Sequence, residues 1–235
     1  MLVPTPEELE AIRLSLKVAA LSVTASLPIA VAAAWLLARR EFPGKTLLDA
    51  FVHLPLVLPP VVVGYFLLLL FGRYGPIGGP LERWFGVVFA FRWTGAALAA
   101  AVMGFPLMVR AMRLSLEAID VRLEAAARTL GAGPLAVFFG VTLPLAMPGV
   151  ITGAMLSFAR GLGEFGATIT FVSNIPGETR TLPIAIYTYT QVPGGDPQAL
   201  RLSLIAVVLS LGALFASEVL ARRTQRRVRG LDAQG

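Results

Sequence analysis

The chain has 235 residues, 56% hydrophobic and only 14% charged, with a net charge of +6 and a mean hydropathy of +0.76. A soluble domain carries charge on about a quarter of its residues, so this composition excludes one and reads as a polytopic membrane protein. One His and no Cys leave no cluster for a zinc, haem or iron–sulfur site, and the placement of the positive charge points to membrane topology rather than to nucleic acid.

In chain order, Thr5-Pro6-Glu7-Glu8 is a helix start, with Thr5 as cap, Pro6 as first residue and Glu8 at the capping-box position. The predicted helix runs through an apolar span of about Leu16 to Ala38, kinked at Pro28, and is followed by Arg39, Arg40 and Lys45. His53 to Phe71 is long enough for a second span. Pro55, Pro59 and Pro60 break its first turns, so that backbone must be shielded by protein or face water. Residues 72–86, rich in Gly and Pro, read as an external loop, and a third span runs from about Val87 or Thr94 to Val109, closed by Arg110 and Arg113.

A polar insert from Asp120 to Pro144 follows, inside a loop of about 114–144. Asp120 caps a short helix beginning at Val121. Leu123, Ala126, Ala127 and Leu130 recur at helical spacing as one apolar stripe, and Glu124 and Arg128 form an i,i+4 pair. Gly131 and Gly133 permit a left-handed ending, and Pro134 suits the first turn of a second helix. The fourth apolar stretch, about Leu145 to Val172, is interrupted by Ala159–Thr168. Ser173 to Pro197 is a second external segment with a short apolar piece at the interface. The last span, Leu200 to Leu220, ends in a basic tail, 221–235. The expectation is an all-α membrane protein of five transmembrane helices in a single domain, 1–235.

Twelve basic residues fall in the 39–50 loop, the 110–135 segment and the tail, against seven on the opposite side. The positive-inside rule places the twelve in the cytoplasm, the C-terminus with them and the N-terminus outside.

Several motifs have plain readings. Gly161–Gly166 matches G-x-G-x-x-G but lies in an apolar helical stretch, without the strand a dinucleotide turn requires. Gly44-Lys45-Thr46 resembles the end of a P-loop, yet Arg39 stands where its first Gly belongs, so any ATPase is another polypeptide. Gly149 and Gly153 form a small-residue packing face, and His53 reads as interfacial. Ser157, Arg160, Glu164 and Thr168 make a polar stripe. Charges at a span centre cost about 2.5–3.5 kcal/mol each on insertion scales, so Arg160 and Glu164 face protein or water. They form either an ion pair that locks the bundle or the lining of a pathway or gate.

Gly131, nine intervening residues, then Val141, Leu143 and Pro144 resemble the EAA loop of ABC-importer permeases, with Leu123, Ala125, Ala126, Ala127 and Arg128 in its helix. The motif's Glu falls at position 125, where this chain has Ala125, and the nearest acid is Glu124. The runs LPLVLPPVVVGYFLL, GRYGPIG and RGLGEFGATITFVSNIPGETRTLPIAIYT are similar to those of molybdate-importer permeases, while sulfate and thiosulfate permeases share the fold and much of the loop. The resemblance implies a type I importer core with a cytoplasmic coupling helix that seats in an ATPase. It implies a homodimer, two copies of that ATPase holding ATP and Mg, and an external oxyanion-binding protein that delivers molybdate, tungstate or sulfate. The chain itself would be non-catalytic, with no cofactor or metal, in an inner membrane among lipid. An ion-coupled secondary transporter would instead show inverted repeats and several intramembrane carboxylates; no such repeat is found, and only Glu164 and Glu218 are candidates.

Overall fold

The computed structural model describes residues 4–232, with side chains for 4–216 and 218–220. Among them it contains helices and no strand. The helices are α1 (Pro6–Arg39), α2 (Lys45–Val57), α3 (Pro60–Phe71), α4 (Gly78–Phe85), α5 (Trp93–Glu117), α6 (Val121–Thr129), α7 (Pro134–Val137), α8 (Leu143–Leu162), α9 (Gly166–Val172), α10 (Leu182–Thr190) and α11 (Asp196–Asp232). Four helical stretches, Pro6–Arg39, Trp93–Glu117, Pro134–Leu162 and Asp196–Leu220, are long and apolar enough to cross a bilayer. A fifth crossing exists only if α2 and α3 are counted together.

Local chemistry sets α1 as expected. Glu8 N donates to Thr5 Oγ1 at 3.3 Å and Thr5 N to Glu8 Oε2 at 2.8 Å, a complete capping box. Pro28 lies inside the unbroken helix. The second span differs from expectation: α2 and α3 meet at 114°. Pro55 sits within α2 without breaking it. The break falls at Leu58 and Pro59, with ψ of 142° and 132°. Each precedes a proline, which forces extended backbone, and Pro59 and Pro60 have no N–H to continue a helix.

Three further boundaries move. The 72–86 loop contains α4. Helix α5 continues past Arg110 and Arg113 to Glu117, where Met112 and Leu116 are buried in the core and Arg113 pairs with Asp49 at 3.0 Å and Glu117 at 2.7 Å. The helix begun by Pro134 is continuous with the fourth span, joined by a five-residue π-turn, Phe138–Thr142. In the 173–197 segment the apolar piece is α10, whose Leu182, Ala185 and neighbours are buried with Ala11 and Leu202.

The centre is built on close approach of α5 and α8. A Cβ at Gly104 would stand 2.2 Å from Ser157 Oγ, one at Gly153 2.8 Å from the Met108 carbonyl, and one at Gly149 2.2 Å from Ser115 Cβ. Small residues let two backbones touch where lipid offers no hydrophobic drive, so the Gly149/Gly153 face is a packing face. Around it, Ala96, Ala99, Ala100, Met103 and Phe171 fill one half of the core, and Ala30, Leu37, Met108, Met112 and Leu116 the other.

The polar loops sort to two ends. At one, Arg39, Asp49, Arg113, Glu117 and Glu124 join the 39–50 and 110–142 segments. At the other, Arg201 Nε meets Glu8 Oε2 at 3.0 Å, Lys17 Nζ lies 3.4 Å from the Trp93 ring centroid, and Ser15 Oγ accepts from Leu182 N at 2.6 Å. The basic tail lies outside the described side chains.

Candidate functional site

Helix α6 is where the chain turns outward. Asp120 Oδ1 accepts from Arg122 N at 2.9 Å and satisfies one of the free amides of its first turn. At the far end Gly131 adopts φ +88°. Its N–H reaches the Arg128 carbonyl at 3.0 Å and Ala132 N reaches Ala127 at 3.1 Å, the paired bonds of a Schellman ending. Only a residue without a Cβ takes this left-handed conformation cheaply, so the reversal into Pro134 depends on Gly131.

The burial of α6 is inverted relative to an ordinary surface helix. Leu123 is 49% exposed and Leu130 89%, Val121 beside them is 60% exposed, and Ala125 and Ala126 also lie open. Ala127 is half-buried, as is Leu143, and Pro144 is exposed at the start of α8. The apolar stripe read from spacing therefore exists but, apart from Ala127, is left open by its own chain. The buried residue is the acid, Glu124.

Glu124 is held by three groups. Arg39 Nη2 lies 3.1 Å from Oε1, the Thr142 hydroxyl donates to Oε1 at 2.9 Å, and Arg128 Nη2 approaches Oε2 at 3.6 Å. Arg39 also donates to the Ile119 carbonyl at 3.4 Å. One carboxylate thus ties α6 to the end of α1 and to the π-turn leading into α8. The spacing predicts the Arg128 contact, the weakest of the three. Arg39 and Thr142 carry no sequence signal, because nothing periodic links residues on separate helices.

The second set of candidates straddles a helix break. Helix α8 ends at Leu162 and α9 starts at Gly166, so the polar stripe is not on one continuous helix. Ser157, Glu164 and Thr168 are nonetheless buried together with this turn, and the Arg160 side chain is 28% exposed. Glu164 Oε1 accepts from Ala167 N at 2.8 Å and caps α9, while Oε2 contacts Arg160 Nη1 without hydrogen-bond alignment. Among the described residues Ser157 Oγ has no hydrogen-bond partner, and it lies against Gly104. Among the described residues no three carboxylate or imidazole groups gather as a metal site would need.

Helices fit to span a membrane, one broken crossing and a helix whose apolar face is left open are the features of a membrane subunit with a place for a partner. Residues 26–230 match the family described as binding-protein-dependent transport system inner membrane component, and the chain belongs to it. It is 62% identical over 223 residues to the molybdenum transport system permease protein ModB of Escherichia coli K12, covering 95% of this chain and 97% of that one. Identity to ModB of Haemophilus influenzae is 58%, over 94% and 96%. The fold is similar to a chain of a bacterial alginate ABC transporter in complex with an alginate-bound periplasmic protein, at a TM-score of 0.72 and 18% identity, covering 94% of this chain and 81% of that one.

Proposed function

We propose that this chain is the permease subunit of a molybdate ABC importer. The open apolar face of α6 carries the coupling half of the reading: Leu123 and Leu130 are exposed while Glu124 is anchored inward. A separate ATPase, holding ATP and Mg, seats on that face, one copy for each of two permeases in a homodimer. The Glu124 anchor passes its movement to α1 and α8, so closure of the ATPase pair is delivered as motion of whole helices. The cargo half is supported by 62% identity to a molybdenum permease over nearly the full length of both chains.

An external binding protein hands the oxyanion to the opposite end, and the excess of basic residues supports a cytoplasmic α6 and C-terminus. A permease handed its cargo needs no tight site of its own. Arg160 and Glu164 contribute a compensated pair at the polar break, beside the pathway, and Ser157 and Thr168 flank it. The permease makes and breaks no covalent bond.

The test is reconstitution of the chain with its ATPase and binding protein in proteoliposomes, followed by uptake of labelled molybdate against unlabelled tungstate and sulfate. ATP-dependent uptake competed by molybdate is expected. Uptake of sulfate alone would move the cargo to the sulfate and thiosulfate permeases. Failure of an ATPase to co-purify would remove the importer reading itself.

A further inference from the structure

Where α1 ends, its last turn meets α6 and the π-turn around a cavity of about 440 Å³, walled by Trp35, Arg39, Arg40, Glu124, Arg128 and Phe138 among others. Three guanidinium groups face one carboxylate, leaving two positive charges in excess. That carboxylate is already engaged, since Glu124 Oε1 holds both Arg39 and Thr142. Arg128 reaches only 3.6 Å from Oε2 with its side chain 60% exposed, and Arg40 makes its described contact with the Trp35 ring, 5.5 Å from the centroid. Arg40, and Arg128 beyond its long contact with Glu124, can therefore offer fork-shaped donors to the oxygens of an anion.

The level of the cavity narrows the anion. Trp35 and then Arg39 and Arg40 close an apolar span, the order in which side chains cross from hydrocarbon to headgroups. Trp35 packs edge-on against Phe138 at 6.2 Å and Phe138 against Phe139 at 5.1 Å. Phe139 is 63% exposed, so the cationic cavity carries an apolar flank. Guanidinium groups match tetrahedral phosphate oxygens in paired hydrogen bonds.

We propose that this cavity binds the phosphate of an anionic lipid headgroup, with Arg40 and Arg128 on the phosphate and Phe139 along the acyl chain. Basic recesses at the ends of spanning helices suit such headgroups. The inference requires only that α1 spans a bilayer, and it stands whatever the cargo.

The test is native mass spectrometry of the full-length chain released from nanodiscs of mixed phosphatidylglycerol and phosphatidylethanolamine. Phosphatidylglycerol should be retained selectively. R40Q should lower its retention about fivefold and R40Q/R128Q about twentyfold or more, at the attraction typical of one basic side chain near an anionic surface. Arg40 is exposed, so its loss leaves the fold intact; R40K should keep most of the binding, and R83Q, at the opposite end, all of it. Equal retention of phosphatidylethanolamine, no change in R40Q, or an equal loss in R83Q would overturn the proposal. Displacement by millimolar inorganic phosphate would assign the cavity to a soluble ion, and displacement by the ATPase subunit would assign the arginines to that partner; either result overturns the lipid.

Discussion

Arg39 and Glu124 meet at 3.1 Å with side chains only 12% and 8% exposed, and the Thr142 hydroxyl closes on the same carboxylate oxygen. A buried charge stranded by loss of its partner costs about 3–5 kcal/mol, whereas removal of both charges costs far less. Glu124→Ala should therefore lower the thermal unfolding midpoint of the detergent-solubilised protein strongly, and Arg39→Met/Glu124→Leu should recover part of the loss. Equal melting of the single variant and the wild type would show that the contact carries no stability.

Gly131 offers a cleaner test of the α6 ending, because a Cβ there would meet nothing within 4 Å. The cost of substitution comes from φ +88° alone, about 1–2 kcal/mol for an ordinary residue and more for a β-branched one. Gly131→Val should lose ATPase co-purification while the spans still insert, and Gly131→Asn should lose less. Full co-purification of the valine variant would separate this turn from coupling.

At the polar break the carboxylate has two jobs. Glu164→Gln keeps an oxygen for Ala167 N, so it removes the charge and spares the cap. Arg160 is then left as an uncompensated positive charge at the break, which attracts an anionic cargo if the proposed pathway runs there. Transport by Glu164→Gln should fall further than transport by Arg160→Gln/Glu164→Gln, measured as molybdate uptake in cells. A double variant at or below the single would mean that Glu164 acts on its own.

Sidedness is open to chemical labelling. Ser173 and Glu41 are both exposed, at opposite ends of the molecule. A cysteine at Ser173 should react with an impermeant thiol reagent in intact cells and a cysteine at Glu41 should not. The reverse pattern would invert the orientation.

The features legible in the sequence are short-range. The Thr5–Glu8 box, the Asp120 cap and the Gly131 ending each involve residues within a few positions, and each forms as the spacing requires. Prolines foreshadow the break at Leu58–Pro59 but not its 114° angle. That turn is set by α3 packing on α9, where a Cβ at Gly64 would meet the Ala167 carbonyl at 2.5 Å. Periodicity falls short at α6 for a related reason. It identifies an apolar stripe, yet which side faces inward is decided by Arg39 and Thr142, partners on other elements. The extension of α5 to Glu117 likewise rests on Met112 and Leu116, whose buried neighbours Leu37, Val52 and Ala146 lie on other helices.

The contact between Gly104 and Ser157 has a mechanical corollary. With Gly149 against Ser115 and Gly153 against the Met108 carbonyl, it keys α5 to α8 at three successive heights. Sliding either helix along the other by one residue would drive a side chain into backbone that has no room for it. The two therefore travel as a single beam, and whatever seam opens and shuts during a transport cycle must lie along some other face of that beam.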